Sequence, residues 1–473
     1  MRKTKIVCTL GPATEDREVL CEMIRCGMNV ARLNFSHSTY EDHARRIKMI
    51  RELRQELNTP IALLLDTKGP EIRLRDFEKG KVEIKDGDVF TLTTRDVLGN
   101  ASEASITYAH LPREIAVGDS ILIDDGKLKL TVEAIEDTDI RCRVVHGGVV
   151  SNHKSINIPH SRLSIPYLSE ADKQDLLFGI EQDVDFIAAS FTRSRDDIIT
   201  LRKLLDYHGG HDIRIIAKIE NIEGVENFND ILDSADGIMV ARGDMGVEIE
   251  YERLPGLQKQ FIRRCYQSGK MVITATQMLE SMIHSATPTR AEITDVANAV
   301  FDGTSAVMLS GETAAGDHPA LVVKVMARIA EQAENDALDM DFYREIQYDG
   351  DDADITNAIC DAAATTARDM GAKVIIAVTK SGLTARRVSK FRPAQTIVAA
   401  TPEVKTFHQL SLSWGVLPVL ALHQNDTDRL FTHAIDCAKQ VDIVSPGDRV
   451  VITAGVPLNI EGMTNLLKVQ IVN

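Results

Sequence analysis

The stretch Arg214-Ile215-Ile216-Ala217-Lys218-Ile219-Glu220 (RIIAKIE) begins like a buried strand and ends in two opposite charges. Alternate side chains of a strand share a face, so Lys218 and Glu220 should point the same way. Seven other apolar runs also end in polar residues: KIVCTL (5–10), NVARLNF (29–35), IALLLDT (61–67), DFIAASF (185–191), GIMVARGD (237–244), MVITATQ (271–277) and SAVMLSGET (305–313). Amphipathic segments separate most of these runs. Eight buried strands alternating with helices predict a (β/α)8 TIM barrel, an α/β fold.

One interval in this series is too long for a single connection between strands. About 120 residues separate the third run from the fourth, and they contain short alternating strands with Gly-Asp and Asp-Gly turns. We therefore expect a small β-barrel lid domain at 70–166, inserted into a barrel domain made of residues 1–69 and 167–341. After an acidic linker, EIQYDGDDAD (345–354), renewed βα alternation predicts a doubly wound α/β domain at 353–473.

The composition limits the classes of partner. The chain has 473 residues, with 54 basic against 70 acidic residues and a formal net charge of −16. Such an acidic chain is not expected to bind nucleic acid or a membrane over a broad surface, although a few placed cations can bind an anionic substrate. The seven cysteines form no CxxC pair, and no apolar run is long enough to span a membrane. We expect a reduced, cytoplasmic protein.

Polar residues gather where the predicted strands end, which is the active-site face of a (β/α)8 barrel. Glu220 and Asp244, carboxylates on adjacent strands, suit Mg²⁺, because proteins usually hold this ion with one or two carboxylates plus substrate oxygens. Arg32, Arg73 and Lys218 supply the positive charge that a phosphoryl group needs. A plain ion pair between Lys218 and Glu220 is the alternative. The complete set of strand-end residues is Arg32, Asn34, Asp66, Ser190, Lys218, Glu220, Arg242, Asp244, Thr276, Ser310 and Glu312.

Two further stretches can bind ions. ARGDMG (241–246) follows a strand, and a short helix starting there would offer free amides to a carboxylate or phosphate, although a simple tight turn has the same sequence. NFSH (34–37) and DT (66–67) combine neutral oxygens with one carboxylate, which suits a monovalent cation, although these residue types often only cap turns. The sequence has neither a P-loop nor a Rossmann glycine motif.

Together these stretches resemble the pyruvate kinase family. The family's landmarks occur in order along essentially the whole chain: KTKIVCTLGPAT, MNVARLNFSH, LLLDTKGPEIR, IIAKIENIEGV, MVARGDMGVE, TATQMLESM and PTRAEITDVANAVFDGTSAVMLSGETAAG. The resemblance implies transfer of the phosphoryl group of phosphoenolpyruvate to ADP, which gives ATP and pyruvate in the last step of glycolysis. It also implies Mg²⁺ (or Mn²⁺) and K⁺ as cofactors, a homotetramer, and allosteric control through the C-terminal domain in some members.

The resemblance also implies roles for single residues. Lys218 and Arg32 match residues that stabilise the phosphoryl group, and Thr276 matches the residue that orients substrate near the enol carbon. Glu220 and Asp244 match the Mg²⁺ ligands. Gly243 and Asp244 match the backbone contacts to the substrate carboxylate. The remaining matches are the K⁺ ligands Asn34, Ser36, Asp66 and Thr67 and the nucleotide contacts Asn34, Phe35, Ser36, His37, Arg73 and Lys154.

Three positions bear on these assignments. Glu71, in KGPEIR, matches the members that depend on K⁺, whereas members with lysine there tend to do without the ion. Ala315 stands where a lysine is common, so protonation of the enol falls to other groups, through Thr276, Ser310 and water. KSINIPH (154–160) replaces both glycines of the common KGVNLPG, which stiffens the loop that carries the nucleotide contact Lys154.

The C-terminal domain contains TKSGLT (379–384), which follows a strand and opens a helix. Hydroxyls and helix-start amides can hold a phosphate, and the stretch resembles the family's effector loop. The resemblance implies that a phosphorylated effector, whose identity is open, contacts Thr379, Lys380, Ser381, Gly382 and Thr384. The alternative is a plain serine N-cap. Two rival functions stay open: a catalytically weak homologue that senses phosphometabolites, and another Mg²⁺-enolate barrel enzyme such as a C–C lyase.

Overall fold

The computed structural model describes residues 1–159, 161–340, 342, 354–458 and 463–473. Residues 345–353 of the predicted linker lie outside these ranges, and so do the predicted domain limits at 341 and 353. The limits of the three expected domains therefore stay predictions. Within the described ranges, no helix has the length and apolarity needed to cross a membrane.

The first part of the chain alternates strands and helices. Its elements are β1 (Lys5–Leu10), α1 (Arg17–Arg25), β2 (Val30–Asn34), α2 (Tyr40–Glu56) and β3 (Ala62–Asp66). Helix α1 begins after the N-cap Asp16, whose side chain accepts a hydrogen bond from the amide of Glu18. Helix α2 begins after Thr39, which forms a reciprocal capping box with Asp42. Side-chain caps therefore fix where each helix starts after its strand.

The residues that follow β3 form sheets of their own. One sheet has the order β4-β12-β8-β9-β10-β6-β7, the second pairs β11 with β5, and their buried side chains form a separate apolar core around Phe90, Leu130 and Ile140. The predicted all-β insertion is confirmed, and we call it the lid segment. Its elements are β4 (Ile72–Arg73), β5 (Lys81–Ile84), β6 (Val89–Thr93), β7 (Glu103–Ser105), α3 (Leu111–Glu114), β8 (Ser120–Ile123), β9 (Leu128–Glu136), β10 (Asp139–His146), β11 (Gly148–Ser151) and β12 (Ser155–Asn157).

The chain then returns to strands alternating with helices. The elements are α4 (Glu170–Glu181), β13 (Phe186–Ala189), α5 (Arg195–Tyr207), β14 (Arg214–Ile219), α6 (Ile222–Glu226), α7 (Phe228–Ser234), β15 (Gly237–Ala241), α8 (Arg242–Glu248), α9 (Leu254–Gln267), β16 (Met271–Ala275), α10 (Arg290–Phe301), β17 (Ala306–Leu309), α11 (Gly311–Ala314) and α12 (Pro319–Asp339). Eight parallel strands close in the order β1-β17-β16-β15-β14-β13-β3-β2. The predicted (β/α)8 barrel is confirmed. Its strands are mostly shorter than the predicted runs because the last residues of most runs lie in the loops or short helices that follow the strands.

Strand alternation positions the functional residues. Leu64 and Ile216 belong to the apolar cluster that fills the barrel interior, to which all eight strands contribute. Asp66 and Lys218 lie two residues further along β3 and β14. Because alternate side chains of a strand share a face, both point toward the same barrel interior. The same step leads to a polar residue within or directly after three other strands: from Val30 to Arg32, from Ala188 to Ser190 and from Met308 to Ser310.

The C-terminal part is a second α/β unit. Its sheet has the order β20-β19-β18-β21-β22 and is parallel except for the edge strand β22, so it is mostly parallel, as in the predicted doubly wound fold. It contacts the end of the barrel opposite the site, where Lys5 Nζ donates a hydrogen bond to Val416 O at 2.7 Å. The elements are α13 (Ile355–Asp369), β18 (Val374–Val378), α14 (Leu383–Lys390), β19 (Thr396–Thr401), α15 (Val404–Gln409), β20 (Val416–Leu420), α16 (Thr427–Gln440), β21 (Arg449–Ala454) and β22 (Leu466–Ile471).

Candidate active site

Lys218, near the end of β14, lies at the centre of the candidate site. Its Nζ atom lies 3.0 Å from Asp66 Oδ1 and 2.9 Å from Glu220 Oε1. Nζ also donates a hydrogen bond to Ser190 Oγ at 2.7 Å. Burial lowers the pKa of Lys218, but the carboxylates of Asp66 and Glu220 outweigh burial and raise that pKa above its ordinary value. Lys218 is therefore a fixed cation at any physiological pH.

Asp66 connects Lys218 to the second cation of the site, Arg32. Arg32 Nε donates to Asp66 Oδ2 at 2.6 Å, and Arg32 Nη1 donates to Thr9 Oγ1 at 2.9 Å. Burial raises the pKa of Asp66, but Arg32 and Lys218 outweigh burial and hold the pKa below its ordinary value. Two cations thus share one ionised carboxylate, and charge-assisted hydrogen bonds fix both of their positions.

Glu220 follows the last residue of β14 and is only partly satisfied. Its Oε2 atom accepts a hydrogen bond from the amide of Phe191 at 2.6 Å. Its Oε1 atom is buried and accepts no hydrogen bond from the described part of the chain, although Lys218 Nζ lies 2.9 Å away. Burial raises the pKa of Glu220; Lys218 opposes this rise and Asp244 adds to it. A metal cation at Oε1 would add a ligand bond and a second positive charge beside that of Lys218.

Glu220 and Asp244 are the candidate Mg²⁺ ligands. Asp244 lies in the first turn of α8, directly after β15, and β15 pairs with β14. No cluster of three or more His, Cys, Asp or Glu side chains in the described ranges is arranged to hold a metal. Mg²⁺ does not need such a cluster, because one or two carboxylates with water and substrate oxygens complete its octahedral shell. The unsatisfied Oε1 of Glu220 fits an ion bound in this way.

Thr276 lies in a strained turn directly after β16. Thr276 and Gln277 have φ values of 68° and 55°, and this left-handed backbone costs a β-branched residue about 1–3 kcal/mol. Thr276 Oγ1 donates to Ala275 O at 2.6 Å and accepts from the amide of Gly243 at 2.8 Å. A Cβ atom on Gly243 would lie 3.3 Å from Thr276 Oγ1, so this position has little space for a side chain. The turn brings Thr276 against the predicted carboxylate contact.

Ser310 and Glu312 lie at the end of β17. Glu312 is fully buried and accepts hydrogen bonds from the amides of Ser310 at 2.6 Å and Leu279 at 3.2 Å. Burial raises the pKa of Glu312 above its ordinary value, although these amides oppose the rise. Ser310 Oγ is buried and finds no hydrogen-bond partner among the described residues. Its hydroxyl therefore keeps a donor and an acceptor that no described residue uses.

The four candidate K⁺ ligands lie at the ends of β2 and β3. Asn34 pairs with Asp66 in the sheet register, and Asn34 Oδ1 accepts from the amide of Ser36 at 3.2 Å. Thr67 Oγ1 donates to the carbonyl oxygen of Ala188 at 3.3 Å. Both carboxylate oxygens of Asp66 already face Lys218 and Arg32. The structure brings the four residues together, with Asp66 committed to two cations.

The predicted nucleotide contacts fall into two groups. Arg73 and Lys154 lie on the paired strands β4 and β12 or beside them, at the base of the lid segment. Arg73 Nε and Nη2 donate to Glu71 Oε2 at 2.8 Å and 2.5 Å, and Lys154 Nζ donates to Asp124 Oδ1 at 2.8 Å. A cleft of about 110 Å³ lies between this base and the barrel. Its polar lining includes Glu71, Asp125, Ser155 and Asn157 on one side and Asn221, Asp244 and Glu248 on the other.

The second group is the NFSH stretch after β2. Phe35 is buried, and its ring stacks on His43 with ring centroids 4.2 Å apart. A nucleotide contact from Phe35 is therefore restricted to its backbone. Ser36 is half-buried and His37 exposed, and the carbonyl oxygen of His37 faces His43 Nε2 at 3.0 Å.

Comparison with known proteins bears on both α/β units. The family model described as "Pyruvate kinase, barrel domain" matches residues 1–323, and the one described as "Pyruvate kinase, alpha/beta domain" matches residues 357–470. The chain belongs to the pyruvate kinase family. The family predicted from the sequence motifs is confirmed, and the chain is a phosphotransferase.

Individual pyruvate kinases are similar along the whole chain. That of Clostridium acetobutylicum is 46% identical over 473 residues, which cover 100% of both proteins. That of Geobacillus stearothermophilus is 47% identical over 474 residues, which cover 100% of this chain and 81% of that protein. The crystal structure of a pyruvate kinase from Cryptosporidium parvum has a TM-score of 0.92 at 39% identity, covering 100% of this chain and 96% of that one.

The candidate effector loop of this family member closes one end of a cavity in the C-terminal unit. Gly382 has a φ of 80° and caps α14, and its amide donates to Thr379 Oγ1 at 3.0 Å. Thr384 Oγ1 lies 2.8 Å from Thr464 Oγ1. The cavity has a volume of about 120 Å³. Of the predicted contacts, Thr379, Lys380, Ser381 and Thr384 line it.

Sequence reasoning gave no role to several residues of the site. Ser190 was visible as a strand-end hydroxyl, and the step of two from Ala188 was the signal for its position beside Lys218. Thr9, which contacts Arg32, is preceded by an apolar run and gave no signal. Asp295, which contacts Arg242 from the middle of α10, reads as an ordinary helix residue.

Proposed function

We propose that the chain transfers the phosphoryl group of phosphoenolpyruvate to ADP, giving ATP and pyruvate, with Mg²⁺ (or Mn²⁺) and K⁺ as cofactors. The observation that carries this proposal is the Lys218 ammonium group, fixed between Asp66 and Glu220, together with the buried Oε1 atom of Glu220, which accepts no hydrogen bond from the described residues although Lys218 Nζ lies 2.9 Å away. Phosphoryl transfer passes through a loose transition state that needs charge neutralisation and alignment rather than covalent catalysis. A buried, preorganised cation supplies the first of these.

Lys218 and Arg32 divide the electrostatic work. Negative charge spreads over the oxygens of the phosphoryl group during transfer, and the two side chains offer it a point charge and a planar fork. Asp66 holds both cations before substrate arrives. Little reorganisation is then needed at the moment of reaction, which is the main advantage of an electrostatic site in a protein.

Glu220 and Asp244 would hold the Mg²⁺ ion, which neutralises charge on substrate oxygens when bound. The amides of Gly243 and Asp244 are assigned to the substrate carboxylate. Because the amide of Gly243 donates to Thr276 Oγ1 in this structure, a carboxylate that binds there takes over or shares that hydrogen bond. Substrate binding is thereby linked to the orientation of the Thr276 hydroxyl.

Protonation of the enol carbon is assigned to Thr276 and Ser310 acting with water. Ala315 removes the lysine that is common in the family, and no ammonium group replaces it at that position. The Ser310 hydroxyl is buried and makes no hydrogen bond to the described part of the chain, while Thr276 is held beside the carboxylate site. Two hydroxyls and a water molecule can relay a proton without a side chain that changes its charge.

The proposal includes dependence on K⁺. Glu71 brings a negative charge, not a lysine ammonium group, to the cleft that Asp244 also lines. The positive charge that a lysine would supply there is therefore left to a monovalent cation. The loop from Thr379 to Thr384 and its cavity are assigned to a phosphorylated effector. The likeness to the family supports a homotetramer, which analytical ultracentrifugation would measure.

The test is pyruvate formation from phosphoenolpyruvate and ADP with Mg²⁺, with K⁺ varied against tetramethylammonium. The proposal expects rapid turnover that rises with K⁺. Turnover that is indifferent to K⁺ would refute the cation site while leaving the reaction. A folded protein without turnover, with sugar phosphates and AMP present, would refute the proposal and favour a phosphometabolite sensor.

A further inference from the structure

Arg242 is a strand-end residue to which the proposed reaction assigns no role. It follows β15 as the first residue of α8, and its side chain is 14% exposed. The guanidinium group is surrounded by acceptors. Nε donates to Ala275 O at 3.2 Å, and Nη2 donates to Thr276 O at 2.6 Å and to Met278 Sδ at 2.9 Å. Nη1 donates to both carboxylate oxygens of Asp295, each at 2.7 Å.

These contacts converge on the strained turn after β16. Ala275 O and Thr276 O are the carbonyl groups on either side of Thr276, whose φ is 68°. Arg242 fixes both peptide planes, and Ala275 O also receives the hydrogen bond from the Thr276 hydroxyl. The direction of Thr276 Oγ1 therefore depends on a backbone conformation that the turn does not favour by itself.

Asp295 holds the guanidinium group in place from a different element. It lies in α10, and its carboxylate binds Nη1 with both oxygens, while Gln258 Oε1 in α9 lies 3.4 Å from the same atom. The donors of Arg242 are thus committed to protein acceptors on β16, on the turn that follows β16, and on α9 and α10. A planar fork can satisfy acceptors on several sides at once, which a lysine ammonium group on the same stem does not.

We propose that Arg242, anchored by Asp295, is a positioning residue that holds the Thr276 hydroxyl in its working orientation; this rests on the proposed function. Arg242 acts through the turn and does not itself touch the reacting atoms. Its loss should therefore impair the steps that need Thr276 and leave the binding of ADP unchanged. A misplacement of about 1 Å at a catalytic group costs on the order of 100-fold in rate.

The experiment compares Arg242→Lys with Thr276→Ala and with the double variant. Each is assayed for kcat, for the KM of ADP, and for exchange of the pyruvate methyl protons in D2O with Mg²⁺, K⁺ and ATP, followed by NMR. We expect Arg242→Lys to lower kcat and methyl exchange together by about 100-fold, with an unchanged KM for ADP. The double variant should be no slower than Thr276→Ala, because the two residues act as one unit.

Two further variants control for general damage. Arg54→Lys removes another buried arginine fork, which donates to Ile61 O at 3.0 Å and lies 3.8 Å from Asp185 Oδ2 at the opposite end of the barrel; it should keep wild-type turnover. Asp295→Asn keeps the shape of the anchor without its charge. It should lower kcat and exchange in the same proportion as each other, less severely than Arg242→Lys.

The outcomes separate this inference from the function on which it rests. A wild-type chain without turnover refutes the proposed function. Two outcomes refute the positioning role alone, provided that the wild-type chain turns over normally. One is a wild-type rate in Arg242→Lys, and the other is additive effects of Arg242→Lys and Thr276→Ala. If circular dichroism shows that Arg242→Lys does not fold, the same cycle between Asp295→Asn and Thr276→Ala decides, and additivity there refutes the role.

Discussion

Binding of Mg²⁺ should release a proton from Glu220. In the metal-free protein, Glu220 is 1% exposed and shares Lys218 with Asp66, and no residue of the described ranges donates a hydrogen bond to its Oε1 atom. Burial therefore raises the pKa of its carboxyl group, and Asp244 adds to the effect. A divalent cation at Oε1 requires the ionised form, so metal and proton compete for the same group.

The size of this effect follows from linkage. At a pH below the raised pKa, each unit of pH should weaken the apparent affinity for Mg²⁺ by about tenfold, or about 1.4 kcal/mol. Above that pKa the affinity should become constant. The raised pKa of Glu220 also affects the stability of the fold. Because the folded-state pKa lies above the unfolded value, the metal-free protein loses stability as the pH rises from about 4.5 through the raised pKa. Bound Mg²⁺ should remove that loss.

Isothermal titration of Mg²⁺ in two buffers with different protonation enthalpies measures both the affinity and the number of protons released. The expected result is a proton released from Glu220 at pH 6, and none from Glu220→Gln. Glu312→Gln is the matched control, because Glu312 is a buried glutamate at the same end of the barrel that backbone amides already satisfy; it should still release the proton. An affinity that is independent of pH between about 5.5 and 8, with no proton release, would refute the reasoning.

Three other substitutions probe the site and its scaffold. Glu71→Lys should sustain turnover without K⁺, because an ammonium group replaces the ion's charge; a K⁺ titration of kcat, with Glu71→Gln as the control, checks it. Ser190→Ala removes one hydrogen bond from Lys218 and should lower kcat by about two- to tenfold, corresponding to about 0.5–1.5 kcal/mol, with unchanged folding. Burial raises the pKa of Asp185 to about 6. As the pH rises from about 4 to about 6, the wild-type free energy of unfolding should therefore fall by about 3 kcal/mol relative to that of Asp185→Asn, which denaturant titrations measure.

The barrel and most of the site could be predicted because local rules decide them. Continuous apolar runs identify buried parallel strands, and a period of two continues each interior row into the polar residue at its end. Parallel strands bring their carboxyl ends to one rim, so Asp66, Lys218 and Glu220 converge although they are far apart in the chain. The strand assignment alone was enough to predict that these three side chains lie close together.

Other features depend on contacts that no local pattern encodes. Thr276 adopts a left-handed backbone directly after β16 although threonine itself disfavours it, and Arg242 contacts the carbonyl oxygens of Ala275 and Thr276. The partner of Arg242 is Asp295, which comes from a helix that returns to the rim through tertiary packing. Phe35 lies in a motif that reads as a ligand contact, yet its ring stacks on His43, a residue of α2.

The central claim is that the fixed charge of Lys218 carries phosphoryl transfer, and its most direct test is the turnover of Lys218→Met. Lys270→Met is the matched control: Lys270 is a half-buried barrel lysine that donates to the carbonyl oxygens of Leu232 and Asp233, away from the site. Under saturating Mg²⁺, K⁺, ADP and phosphoenolpyruvate, Lys218→Met should lose at least about 100- to 1000-fold in kcat, whereas Lys270→Met should keep wild-type turnover. A folded Lys218→Met protein with wild-type kcat would contradict the claim.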